Sequence, residues 1–233
     1  MQLFYFKEPK EEITLSRDES SHIIKVLRKK EGDHLNITDG QGYLYDSQIT
    51  YADKRECKLK ILSSEKKPKQ HRGYLHIAIA PTKNISRFEW FLEKSTEIGI
   101  NEITPIICVN SERTSINYER CERILISAIK QSKKYHLPKF NKATNFNEII
   151  QSDANKAKYI AHCQVGEKVL LSSQKFSKKT IILIGPEGDF SKDEANIAIK
   201  KGYKPISLGK SILRTETAGV MSVVTYINQV EKL

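Results

Sequence analysis

The stretch Ile181-Ile182-Leu183-Ile184-Gly185-Pro186-Glu187-Gly188-Asp189-Phe190-Ser191 decides the fold. Its aliphatic run reads as a strand buried on both faces, the habit of parallel sheets. The run then meets two glycines and a proline, and Ser191-Lys192-Asp193-Glu194 has the form of a capping box that opens a helix. Open α/β sheets bind ligands at such junctions, outside the carboxyl ends of strands. Glycine there lets a backbone approach the ligand closely. By themselves, the same residues also describe an ordinary tight strand–helix turn. No phosphate loop of the form GxxxxGK is present, and no GxGxxG, so neither a P-loop nor a dinucleotide site is indicated.

A second junction of the same kind follows: Leu208-Gly209-Lys210-Ser211-Ile212-Leu213-Arg214-Thr215-Glu216-Thr217-Ala218. Thr215 suits a plain N-cap and Arg214 a solvated charge. Yet two glycine loops after strands in one half of a domain are placed to rim a single pocket. A third stretch, Val109-Asn110-Ser111-Glu112-Arg113-Thr114, precedes a helix ending in Gln131-Ser132-Lys133-Lys134. Residues 130–142 hold five lysines, one histidine and no acid. Such a run suits a phosphate backbone as well as it suits a solvated helix end.

Working outward, strands are expected at 74–80, 103–109, 158–163, 180–185 and 205–208. Helices are expected from a Ser86–Glu89 capping box to Gly99, over 118–133, from Ser191 to Gly202, and over 215–228. This alternation predicts a mostly parallel sheet covered on both faces. The first seventy residues read instead as short strands at 3–6, 12–15, 34–38, 42–51 and 55–62, with an Asp39-Gly40 turn. One or two helical turns at 22–28 end near Gly32, which together suggests a small barrel. Residues 63–70 are polar and contain Pro68, and read as a linker. The expected domains are therefore 1–70 and 71–233.

The chain has 233 residues and a formal charge of +11. Residues 1–70 carry a net +2 and residues 71–233 a net +9, so the second domain supplies most of the attraction for an anion. No window is apolar enough for a membrane span, and the N-terminus lacks the form of a secretory signal. The cysteines at 57, 108, 121 and 163 make no CxxC pair or common zinc spacing, and reduced thiols fit the cytoplasm. The six histidines are dispersed and read as structural. GxSxG and HExxH are both absent.

Taken together, these residues resemble the RsmE family of bacterial 16S rRNA (uracil-N3)-methyltransferases, which belong to the SPOUT class. The resemblance spans the whole chain. Its most specific parts are Gly185-Pro186-Glu187-Gly188-x-Phe190-Ser191 and Leu208-Gly209-x-x-Ile212-Leu213-Arg214-x-Glu216-Thr217-Ala218. Supporting pieces are His22-x-x-x-Val26-Leu27-Arg28, Asp39-Gly40-x-Gly42, Lys94-x-Thr96-Glu97-Ile98-Gly99-Ile100, Glu112-Arg113 and Gln131-Ser132. Two positions depart from the family pattern: Asp189 stands where a glycine is usual, and Lys130-Gln131-Ser132-Lys133-Lys134 stands where Glu-Gln-Ser-x-Arg is usual.

The resemblance implies an α/β fold: a SPOUT-type trefoil-knotted methyltransferase domain behind an N-terminal PUA-like β-barrel. It implies methyl transfer from S-adenosyl-L-methionine to N3 of a specific uridine in 16S rRNA, within the small ribosomal subunit, by a cytoplasmic homodimer without metal. Two other readings stand beside it: a non-catalytic RNA- or ribosome-binding protein of this fold, and a SPOUT methyltransferase with another RNA target. The implied cofactor-binding residues are Leu183, Ile184, Gly185, Pro186, Glu187 and Gly188 in the first loop. In the second they are Leu208, Gly209, Ile212, Leu213, Arg214 and Thr215. Arg113, Arg214 and Glu216 are the catalytic candidates. Arg28, Gln131, Lys133, Lys134, Lys139 and Lys142 are the candidates for holding RNA.

Overall fold

The computed structural model describes residues 2–151, 157–174, 176 and 179–230. These divide into two compact units, one comprising residues up to 69 together with 129–137, the other comprising 70–128 and 138 onward.

The first unit is a five-stranded sheet in the order β1-β3-β4-β5-β2. Its strands are β1 (Leu3–Tyr5), β2 (Glu12–Thr14), β3 (His34–Thr38), β4 (Tyr43–Ala52) and β5 (Cys57–Lys66). β1 runs parallel to β3 and the other pairs are antiparallel. Phe4, Ile13, Ile23, Ile37, Ile49 and Leu59 fill its core. β5 runs further than its sequence suggests: Ser63–Lys66 pair with Tyr43–Asp46, so half of the expected linker is strand. Polar composition misleads there because an antiparallel strand with one wet face tolerates serine and lysine.

Between β2 and β3, helix α1 (Arg17–Ser21) passes into a π-helical turn over His22–Val26. Arg28, at φ 54, breaks the turn well before Gly32. Asp39 shapes the following hairpin by accepting the N–H groups of Gln41 (2.7 Å) and Tyr43 (3.2 Å). Residues 129–137 lie along this turn: Gly42 N–H donates to the Tyr135 carbonyl and Leu137 N–H to the Gly40 carbonyl, both at 2.8 Å. Gly42 is obligatory on two counts. Its φ is 105, and a Cβ would stand 2.6 Å from His136 Nε2.

The second unit is an entirely parallel sheet in the order β11-β13-β10-β12-β6-β7-β8, with β9 also on β7. Its strands are β6 (Tyr74–Ile79), β7 (Glu102–Ile107), β8 (Lys139–Phe140), β9 (Thr144–Asn145), β10 (Ala157–Ala161), β11 (Val169–Leu170), β12 (Lys179–Ile184) and β13 (Lys204–Ser207). Helices α2 (Ile85–Ile98), α3 (Tyr118–Gln131), α4 (Phe146–Ile149), α5 (Lys192–Lys200) and α6 (Thr215–Val230) connect and cover it.

The Ser191–Glu194 capping box forms as expected. The Ser86–Glu89 box does not. Asn84 caps α2 by accepting the Ser86 N–H, and Glu89 instead holds the Arg120 guanidinium. Gly99 ends α2 at φ 124. α2 and α6 approach closely because Gly219 has no side chain: a Cβ there would fall 2.6 Å from the Phe91 ring.

Candidate active site

β12 carries Ile184 to the carboxyl edge of the sheet, and the chain turns at once. A Cβ on Gly185 would sit 3.1 Å from the Phe190 ring and 3.2 Å from the Phe190 nitrogen, so a larger residue would have to push Phe190 aside by a few tenths of an ångström. Thr215 Oγ1 donates to the Gly185 carbonyl at 3.1 Å, which fastens the start of α6 to this turn. After β13, Ser207 Oγ accepts the Gly209 N–H (3.2 Å) and donates to its carbonyl (2.8 Å). Gly209 has φ 139, with open space where a side chain would begin.

Between these two turns lies a cavity of about 430 Å³, a usual size for a small-molecule site. The two glycine loops read from sequence do rim it together. Ile184, Gly185, Pro186 and Glu187 form one wall, and Leu208, Gly209, Ile212, Leu213, Arg214 and Thr215 another. Leu183 and Gly188 are not in the lining. Leu183 points into the sheet core with no exposure, because alternate residues of a strand face opposite ways. Gly188 faces Asn110, whose Nδ2 donates to the Gly188 and Asp189 carbonyls at 3.1 Å.

A third wall, Ala161, His162 and Cys163, escaped the sequence reading. It follows β10, which lies between β12 and β13 in space but precedes both in the chain. Strand order carried that signal, and strand order is not written in local periodicity. Asp189 ties this wall down: at φ 61, its Oδ2 accepts the Cys163 N–H at 2.9 Å. Gln164 Nε2 adds a bond to the Phe190 carbonyl at 2.8 Å.

The catalytic candidates separate. Arg214 lines the cavity and is exposed. Arg113 is not in the lining: its Nε and Nη2 donate to the carbonyls of Thr82 (3.0 Å) and Lys83 (2.7 Å). Lys83 in turn gives its N–H to Glu187 (3.0 Å) and its ammonium to Glu112 (2.7 Å). Arg113 thus holds a loop that touches the cavity wall. Glu216 is 7% exposed in the first turn of α6, where a negative charge meets the positive helix end. Its Oε1 lies 3.9 Å from Arg87 Nε, and its Oε2 has no hydrogen-bond partner among the described residues.

The RNA candidates separate as well. Arg28, Gln131 and Lys133 are exposed in the first unit, and Lys142 is exposed in the second. Lys134 is only 9% exposed, which removes it from direct phosphate contact. Lys139 pairs with the buried Glu102 at 3.1 Å while its side chain stays 65% exposed. The acid-free run acquires its acids from elsewhere in space: Lys130 also meets Glu19 at 2.7 Å.

Among the described residues no cluster of His, Cys, Asp or Glu suits a metal ion, and no helix is long and apolar enough to cross a membrane.

A PUA-like unit followed by a parallel sheet with a glycine-looped cavity defines an RNA methyltransferase of the SPOUT class. Residues 69–227 match the RNA methyltransferase domain family and residues 15–62 the RNA methyltransferase PUA domain. The ribosomal RNA small subunit methyltransferase E of Rickettsia conorii is 31% identical, with 91% of this chain and 87% of that protein covered. A crystal structure of a probable rRNA-methyltransferase from Porphyromonas gingivalis is 38% identical, with a TM-score of 0.94 over 100% of this chain and 99% of that one. The small subunit methyltransferase E of Neisseria gonorrhoeae, solved bound to S-adenosyl methionine, is 25% identical with a TM-score of 0.83, covering 96% and 95%. The chain belongs to the ribosomal RNA small subunit methyltransferase E family.

Proposed function

We propose that this protein transfers a methyl group from S-adenosylmethionine to N3 of a uridine in 16S rRNA. The observation that carries the reading is the pair of glycine turns, 184–187 and 208–215, closing on one cavity at the carboxyl edge of a parallel sheet. The cavity fits that donor. Pro186, Leu208 and Leu213 offer apolar surface, the turn backbones offer hydrogen bonds, and Glu187 and Asp189 bring negative charge where a cationic donor lies. Residues 184–187, 208, 209 and 212–215 would hold it. When bound, S-adenosylmethionine supplies an electrophilic methyl group on a sulfonium.

The residues of the chain account for the remainder. Uracil N3 attacks only after losing its proton, and the resulting anion spreads its charge onto the flanking oxygens. Arg214, exposed on the cavity wall, meets that charge. Glu216, buried in the first turn of α6, orients Arg87 from 3.9 Å. Arg113 steadies the 82–83 loop against Glu187. Arg28, Gln131, Lys133 and Lys142 hold phosphates, which positions RNA without identifying a base.

The active form is a cytoplasmic homodimer whose substrate is rRNA of the small subunit. Met221 and Trp90, each 43% exposed, and Ile212, 86% exposed, are large apolar side chains on the second unit that pairing would cover. The test is incubation of the protein with labelled methyl donor and small-subunit rRNA, followed by mass mapping of the RNA. Label at uracil N3 supports the reading. Label on another base, or none while RNA still binds, overturns it in favour of another RNA target or a binding protein.

A further inference from the structure

The turn after β7 is tied to the first glycine loop by an exposed side chain. Asn110 Nδ2 donates to the Gly188 and Asp189 carbonyls, each at 3.1 Å. Its Cβ stands 3.2 Å from the point where a side chain on Gly188 would begin. These two carbonyls belong to the peptide planes on either side of the Asp189 Cα. Only φ and ψ are soft in a backbone, so one amide that holds both planes restricts both dihedrals of Asp189. The residue needs that hold. Its φ of 61 costs an L residue energy and persists only where the surroundings impose it.

The clamp is itself anchored. Cys108 N–H donates to Ser111 Oγ at 2.9 Å, and Ser111 N–H returns to the Cys108 carbonyl at 3.1 Å. Val109 N–H donates at 2.9 Å to Glu194 Oε1, whose companion oxygen completes the cap of α5. Asn110 thus reaches the glycine loop from a turn fixed at two points. Asp189 lines the cavity, and its Oδ2 accepts the Cys163 N–H at 2.9 Å. A line of hydrogen bonds therefore runs from Asn110 through Asp189 to the wall that follows β10.

We propose that Asn110 is a positioning residue for methyl-donor binding: by clamping both peptides of Asp189 it aims that carboxylate at Cys163 and holds two cavity walls together. The proposal rests on the S-adenosylmethionine reading above. Asn110 does not line the cavity, so its influence reaches the donor through Asp189. A glycine at 189 would enter the same φ without strain and would have no carboxylate to aim. The need for Asn110 follows from the aspartate.

Calorimetry tests this with S-adenosylmethionine and with S-adenosylhomocysteine, which lacks the sulfonium charge. Asn110→Ala is expected to weaken both ligands about fivefold, the scale of one net hydrogen bond. Its thermal melt should stay close to wild type, because the side chain is exposed. Asn110→Asp keeps the shape but turns the donor into an acceptor, so it should bind S-adenosylhomocysteine no better than the alanine variant. In an Asp189→Gly background, Asn110→Ala should change affinity by no more than about twofold. The same loss in both backgrounds overturns the proposal. So does an aspartate variant that binds like wild type, or unchanged affinity in Asn110→Ala. Gly209→Val separates this from the donor reading. If Gly209→Val is weakened and Asn110→Ala is not, this proposal alone falls; if Gly209→Val binds normally, the cavity assignment falls and the proposal with it.

Discussion

Asp189 stands where the family pattern has glycine, and its carboxylate accepts the backbone N–H of Cys163 at 2.9 Å. The residue thus trades one cost against one gain. A φ of 61 strains an L residue by a modest amount, while a charge-assisted bond closes the end of β10 onto the glycine turn. Asp189→Gly removes both and is expected to leave stability within about 1 kcal/mol of wild type. Asp189→Ala keeps the strain and loses the bond, so it should cost about 1–2 kcal/mol more than glycine in urea unfolding. If alanine proves the more stable of the two, the φ of 61 carries no strain.

Glu102 gives the second unit an acid limit. It is 6% exposed, and burial pushes its pKa up, but His76, Asn141, Lys139 and Tyr74 together bring it down to about 2. A carboxyl lowered on folding stabilises above its unfolded pKa, about 4.3, and that stability drains away as pH falls towards 2. The expected loss over this window is on the order of 3 kcal/mol. Glu102→Gln should flatten the dependence in denaturant midpoints measured from pH 5 to pH 2. An unchanged slope would place the acid sensitivity elsewhere.

Two glycines, both in the second unit, predict opposite behaviours. Gly209→Val puts a branched side chain into the cavity at a φ of 139, so donor affinity should fall by tenfold or more while far-ultraviolet circular dichroism stays native. Gly219→Val drives into Phe91 and Ile79, so it should destabilise by about 3 kcal/mol, the upper end for overpacking. Calorimetry and thermal melts on both variants separate the two effects. Full donor affinity in Gly209→Val would refute the cavity assignment.

The cations divide into holders and one reactor. Arg214→Ala is expected to slow single-turnover transfer about 100-fold with RNA and donor saturating. Removing Lys133 and Lys142 together should weaken RNA binding and lower its salt slope by about one unit per lost contact, with transfer recovered at saturating RNA. Lys139→Ala should act on stability instead, through Glu102. Slow transfer at saturation in the lysine pair, with a normal rate in Arg214→Ala, would reverse these roles.

The two strand-to-loop junctions were legible because each is local: an apolar run, a glycine and a helix start lie within eleven residues. The Ser191 capping box was legible for the same reason. The Ser86 box failed because Asn84, two residues earlier, accepts the Ser86 N–H and Arg120 claims Glu89 from another helix. The partners of Lys139 and Lys130, Glu102 and Glu19, were not legible because they are distant in sequence. His162 was invisible for a deeper reason. A lone histidine after a strand carries no local signal, and only the placing of β10 between β12 and β13 makes it part of a wall.

The turn at Gly40–Gly42 is completed by residues 129–137, and this sets an order of events on the ribosome. The barrel strands emerge first, with the amide of Gly42 and the carbonyl of Gly40 still meeting water. Their partners, Tyr135 and Leu137, are translated only after β6, β7 and all of α3 have followed. The N-terminal unit therefore cannot mature at the tunnel exit as a finished module. It waits, open on one side, for a strap that the rest of the chain delivers late, and a fragment ending at residue 70 would be released without it.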